Sequence, residues 1–162
     1  MVKPYPAVVY QWKSLKKKLK RGKVLAVYID SNIFFYAKIL DRQYGRACAE
    51  ILSKIEKGEL KAATSTLVIV ELANALCKYG LADEVKDVVD AIFSLNINIL
   101  EVDSLDVRTA ARVYDEFRIS PYDCVHVAIM RKAGINEIIS ADKDFDKINW
   151  IKRRDPKNFE VK

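Results

Sequence analysis

The stretch Val24-Leu25-Ala26-Val27-Tyr28-Ile29-Asp30-Ser31-Asn32 decides how the rest of the chain is read. Six consecutive apolar residues, with no alternation of polar ones, describe a strand buried on both faces, the pattern of a central strand in a parallel sheet. Asp30 closes that run at its carboxyl end, where open α/β sheets bind their ligands. Taken alone, such a residue is a turn-forming aspartate, so the other acidic residues decide its meaning.

Three of them also stand inside or at the ends of apolar elements. Glu71 interrupts Leu67-Val68-Ile69-Val70 and Leu72-Ala73, Asp123 opens a helix at Ser120-Pro121-Tyr122-Asp123, and Asp142 follows Ile138-Ile139-Ser140-Ala141. A carboxylate desolvated in an apolar helix costs several kcal/mol unless a counter-charge or strong donors compensate. Asn74 and Lys78 are the sequence-local candidates to partner Glu71. Asp123 suits the positive end of a helix and Asp142 suits a helix cap. All four together imply one shared cation. Carboxylates about 4 Å apart repel by roughly 4 kcal/mol per pair at an effective dielectric near 20. Oxygen donors without clustered histidine or cysteine favour Mg²⁺ or Mn²⁺ over zinc. A divalent ion there suits phosphoryl-transfer chemistry, since it acidifies a bound water and neutralises charge on a phosphodiester. The lone histidine, His126, follows Asp123 by three residues on the same helix and so can approach the site; a core or interface histidine is the plainer reading.

Around these positions the pattern alternates strand and helix. Tyr44, Ala47, Cys48, Ile51, Leu52 and Ile55 recur at helical intervals up to Gly58, a stop signal. Residues 61–65 read as a short strand, and Thr66 as the cap of a helix over 67–79 that is apolar on nearly every face and therefore buried. A helix over 83–95 and a strand over 97–102 follow. Asp103 with Asp106 resembles a capping arrangement for a helix bearing Val107, Ala110, Val113, Tyr114 and Phe117. Ser120-Pro121 starts the next helix and Gly134 ends it. Residues 137–140 read as a strand, 142–147 as a turn or short helix, and 149–161 as a terminal strand and tail. Such alternation predicts an α/β fold with a parallel sheet covered on both faces by helices.

Length and composition set bounds. The 162 residues suit one domain over 24–162 preceded by an extension over 1–23, with 51% hydrophobic and 31% charged residues excluding a disordered chain. Residues 24–40, the longest apolar stretch, are broken by Asp30, Ser31 and Asn32 and are too short to span a bilayer. Met1 to Gln11 lacks the plan of a secretory leader, and Cys48, Cys77 and Cys124, odd in number and widely spaced, read as small buried hydrophobes. A cytoplasmic protein is expected. Eight lysines and arginines with no acidic residue give residues 1–23 a charge of +8, leaving −2 for the remainder of a chain whose net charge is +6. Val8, Trp12, Leu15 and Leu19 fall at helical spacing there, predicting an amphipathic helix over 8–21 with lysines on its other faces. That density of charge suits a polyanion such as nucleic acid or an anionic surface.

The ordered motifs resemble those of the PIN-domain ribonucleases, which include the toxin half of VapBC toxin-antitoxin pairs. Tyr28-Ile29-Asp30-Ser31-Asn32 is similar to the opening strand motif, Thr66 to Ala75 to the helix carrying the glutamate, Asp123-Cys124-Val125-His126-Val127-Ala128 to the third motif, and Ser140-Ala141-Asp142-Lys143-Asp144-Phe145 to the last. The resemblance implies a three-layer α/β/α sandwich around a mostly parallel sheet of four to five strands, a Mg²⁺- or Mn²⁺-dependent endoribonuclease, frequent homodimers, and in the toxin branch an antitoxin partner. It gives Asp30, Glu71, Asp123 and Asp142 metal binding and water activation, with Ser31, Asn32, Ser140 and Asp144 in supporting contacts. Ser140 stands where the family often has threonine, and a basic extension lies outside the usual domain, which leaves room for an RNA-processing member. For holding RNA, expected to be single-stranded, the basic candidates are Lys13, Lys16, Lys17 and Lys20 in the extension and Lys143, Lys147, Lys152, Arg153 and Arg154 near the far end. A non-catalytic RNA-binding or assembly module on the same fold is the alternative of a different class. A phosphatase with Asp30 as nucleophile would want a second carboxylate at Asn32. No P-loop, Gly-x-Ser-x-Gly elbow or paired CxxC is present.

Overall fold

The computed structural model describes residues 26–160; the basic segment read as an amphipathic helix lies outside them. β1 (Val27–Ile29) is buried along its whole length and occupies the middle of a five-stranded sheet of order β3-β2-β1-β4-β5. β2 (Ala62–Ser65), β3 (Asn98–Leu100), β4 (Glu137–Ile139) and β5 (Lys152–Arg154) complete it, and every pairing is parallel. Tyr28 lies opposite Ala63 on one side and Ile138 on the other. The uninterrupted apolar run thus has the cause assigned to it: a neighbour strand on each edge and helices on each face.

A helix that the periodicity did not announce follows β1 directly. α1 (Ser31–Lys38) is capped by Asp30, whose side chain accepts from the Ser31 N–H, and it buries Ile33 and Phe34. A tight elbow then reverses the chain. Leu40 takes a positive φ of 51°, and the Asp41 carboxylate accepts from the N–H groups of Gln43 and Tyr44. Gly45 begins α2 (Gly45–Glu56) because a Cβ there would meet the Leu40 carbonyl carbon at 2.7 Å.

β2 passes into α3 (Thr66–Lys78) through Ser65, which accepts from the Val68 N–H. Ser65, not Thr66, is therefore the cap; the Thr66 hydroxyl oxygen instead accepts from Val102 N–H at 3.4 Å and ties down the end of β3. α3 also carries an outward apolar face, with Val70 64% exposed and Cys77 and Tyr79 exposed, so it is less enclosed than its composition suggests. A short 3-10 turn (Ala82–Glu84) leads into α4 (Val85–Ser94). α5 (Ser104–Phe117) opens with a full capping box between Asp103 and Asp106. α6 (Pro121–Ala133) starts on proline and ends at Gly134, φ 69°.

α1 packs on α2 and α3, α3 packs on α4, and α5 lies along α6, giving the three-layer α/β/α sandwich. Burying an Ile or Leu is worth about 1.5–3 kcal/mol, and Ile29, Ile33, Leu72, Leu76, Ile129 and Ile138 are all fully buried. Among the described residues no helix is long and apolar enough to cross a membrane.

Candidate active site

The carboxyl edge of the sheet gathers the polar side chains that the core excludes. Asp30 leaves β1, Ser65 closes β2 and Ser140 follows β4, and all three are buried. The Asp30 carboxylate, 5% exposed, accepts from Ser31 N–H at 2.7 Å, Asn32 Nδ2 at 2.6 Å and Ser140 Oγ at 2.5 Å. Asn32 is held in turn, donating to Ser140 Oγ at 3.0 Å and accepting from Ala141 N–H at 3.3 Å. Ser140 Oγ also accepts from Asp142 N–H at 2.9 Å. Each oxygen of Asp30 is therefore aimed by neighbours that cannot rotate away. Burial pushes this carboxyl above the usual range, against the pull of His126, Ser140 and Ser31.

Glu71, in the second turn of α3, finds neither Asn74 nor Lys78. Its Oε2 meets His126 Nε2 at 2.8 Å. His126 is 1% exposed, and its Nδ1 lies 3.0 Å from the Tyr28 hydroxyl. Tyr28 donates to Ser65 Oγ at 2.7 Å, and burial keeps its phenol protonated far above the ordinary range. Nε2 donates to the Glu71 carboxylate, and Nδ1 shares a hydrogen bond with the Tyr28 hydroxyl. Both ring nitrogens are thereby engaged in hydrogen bonds. Burial works against a charged ring, but the hydrogen bond the ring donates to Glu71 and the charges of Asp30, Glu71 and Asp123 outweigh it, and the His126 pKa rises. His126 is thus a member of the site rather than a plain core histidine.

One ligand atom each from Asp30, Glu71 and His126 lie within 4.8 Å of one another. Asp123 and Asp142 stand outside that trio. Asp123 is nevertheless coupled to it, since its carboxyl is pushed up to about 7 by burial and then by the charges of Asp30, Asp142 and Glu71, with His126 opposing. Asp142 is exposed and caps the 3-10 turn Lys143–Lys147, accepting from Asp144 N–H at 2.8 Å. Asp144 pairs through its own carboxylate with Lys147 at 2.7 Å. Among the described residues no lysine or arginine pairs with Asp30, Glu71, Asp123 or Asp142.

Of the basic candidates, Lys13, Lys16, Lys17 and Lys20 lie outside the described residues. Arg153 is committed to Asp146 through two bonds of 2.9 Å and donates to the Ser140 carbonyl at 3.0 Å. Arg154 is committed to Glu137 at 2.6 Å. Lys143 and Lys152 are exposed and form no ion pair with another described residue.

The donor set fits a hard divalent cation. Asp30 and Glu71 present carboxylate oxygens without a lysine or arginine to neutralise them, and the Asp123 carboxyl is raised first by burial and then by the charges of its acidic neighbours. His126 is poorly suited to ligation, since both ring nitrogens are already hydrogen-bonded. Sequence reading overlooked Tyr28 and Ser65 altogether; the one available signal was the three-residue spacing that sets His126 on the Asp123 face of α6.

Comparison with known proteins gives the family and the fold. A family model described as the PIN domain matches residues 27–151. Ribonuclease VapC13 of Mycobacterium tuberculosis is 23% identical over 128 residues, covering 78% of this chain and 98% of that protein. Among solved structures, VapC20 of Mycobacterium tuberculosis, described as a sarcin-ricin loop cleaving toxin, superposes with a TM-score of 0.66 at 16% identity, covering 78% of this chain and 97% of that one. VapBC2 of Rickettsia felis, bound to a DNA fragment from its promoter, gives a TM-score of 0.62 at 15% identity, covering 80% and 98%. The order of motifs, the sheet they terminate and the matched span together place this chain in the PIN domain family.

Proposed function

We propose that this protein is a Mg²⁺- or Mn²⁺-dependent endoribonuclease that hydrolyses phosphodiester bonds of single-stranded RNA, and that it is the toxin of a VapBC-type pair acting in the cytoplasm. The observation that carries the reading is an acidic cluster that no described lysine or arginine neutralises: Asp30, buried and fixed by three donors, beside Glu71 and within electrostatic reach of Asp123. A bound divalent ion would supply charge neutralisation at the phosphate and a more acidic water.

The chain's own residues supply the rest. Asp30 and Glu71 would hold the cation, while Asn32 and Ser140 keep Asp30 from turning. Asp123 and Asp142 would complete the anionic wall, with Asp123 able to take up a proton near neutrality. Ser31 and Asp144 support through their backbone positions. Lys143 and the lysines of residues 1–23 would hold RNA phosphates, whereas the ion pairs of Arg153 and Arg154 suit them to bracing β5 against the site.

Support for the toxin assignment comes from VapC ribonucleases matched over 98% of their own length and 78% of this chain, and from solved neighbours that include a toxin-antitoxin complex and VapBC2. An antitoxin partner and a homodimer belong to the same proposal. Cleavage of single-stranded RNA by wild type and Asp30→Asn, with Mn²⁺ and with EDTA, tests it. Wild type cleaves only with the metal and the variant does not; equal activity of the two removes the mechanism.

A further inference from the structure

We infer that His126 is a positioning residue that fixes the Glu71 carboxylate, with Tyr28 and Ser65 as its anchor. The inference rests on reading Glu71 as a cation ligand.

A glutamate carries three side-chain torsions, and freezing such a side chain loses up to about 2 kcal/mol of rotamer freedom. Asp30 avoids that disorder through donors from its own strand end and from Ser140. Glu71 lacks such neighbours: it sits on α3, 20% exposed, and within α3 nothing donates to it. The donor comes from α6, 55 residues along the chain, and reaches only Oε2. Oε1 has no hydrogen-bond partner among the described residues.

The ring cannot swing either. Its far nitrogen is held by Tyr28, a β1 residue that is fully buried, and Tyr28 is held by Ser65 at the end of β2. The line Ser65, Tyr28, His126, Glu71 therefore runs from the two central strands through α6 to α3. It converts the rigidity of the sheet into the direction of one carboxylate oxygen. Outer partners of this kind tune a site without touching the ion. Packing alone does not require the arrangement, since an apolar residue at 126 would fill the same buried space without leaving a carboxylate aimed at the site.

His126 is the only histidine of the chain, so its ring nitrogens are a single-residue NMR reporter. In the metal-free protein the Nε2–H resonance is protected from solvent exchange and shifts in Glu71→Gln and in Tyr28→Phe. A ring indifferent to Glu71→Gln overturns the contact. Mn²⁺ binding measured by electron paramagnetic resonance gives the second readout. The dissociation constant rises about 10–100-fold in His126→Leu, rises less in Tyr28→Phe, and is partly restored in His126→Gln, which keeps an N–H donor. Unchanged constants in folded His126→Leu and Tyr28→Phe overturn the inference while leaving the cation reading intact. A wild type that binds no Mn²⁺ overturns the cation reading and this inference with it.

Discussion

Replacing Asp123 by asparagine stabilises the metal-free protein, and does so more at high pH than at low. The Asp123 carboxyl is held at about 7 against an ordinary 3.8, because burial and then the charges of Asp30 and Asp142 oppose its ionisation. Folding therefore takes up a proton between about pH 4 and 7. Stability present below pH 4 is lost as pH rises through about 7, and above that the full cost is incurred. At 1.36 kcal/mol per pH unit the ceiling is about 4 kcal/mol. The carboxyl keeps some contact with water, and solvent screening cuts the figure to roughly 1–2 kcal/mol. For a domain of this size that is a rise of about 3–6 °C in Tm at pH 8. At pH 5 the gain falls to roughly a third, since the folded wild type is already protonated there. Thermal unfolding in EDTA at the two pH values reads both numbers. With saturating Mg²⁺ the order reverses, because the wild-type carboxylates gain a counter-ion that asparagine weakens. A variant that melts below wild type at pH 8 in EDTA, or one whose gain is equal at pH 5 and pH 8, refutes the reasoning.

Three further outcomes follow from the fold. Gly45→Ala lowers stability by about 1–3 kcal/mol, because its Cβ meets the Leu40 backbone; urea unfolding measures this. Lys132→Ala costs about 3 kcal/mol by the same assay, since it leaves Asp106, 3% exposed and bonded to Lys132 Nζ at 2.5 Å, buried without its cation. A thiol reagent modifies one cysteine per folded chain and three after unfolding: Cys77 is exposed, while Cys48 and Cys124 are buried and the Cys48 thiol is pushed up to about 12.

What the chain discloses locally, it discloses well. The capping box at Asp103 and the glycine stop at 134 depend on contacts within a few residues, the central strand is marked by its unbroken apolar run, and each is where the pattern puts it. α1 escaped notice for a related reason. The apolar run of β1 resumes at Ile33 after only Asp30-Ser31-Asn32, so period alone cannot separate a buried strand from the buried helix after it. Cys77 was misplaced because α3 keeps apolar residues on its outward face, among them Val70. In the site, a carboxylate at a strand end is visible as a break in an apolar run. The partner of Glu71 is not, because it is set by how α3 and α6 pack, and no spacing along the chain encodes that.

The central claim is that Asp30 and Glu71 converge on one hard cation. Crystals soaked in Mn²⁺ and measured for anomalous scattering test it most directly. The account predicts a peak about 2.0–2.3 Å from an oxygen of Asp30 and an oxygen of Glu71, with Asp123 facing it directly or through water. A map with no peak there, or with its only peak on the exposed turn of Asp142, Asp144 and Asp146, contradicts it.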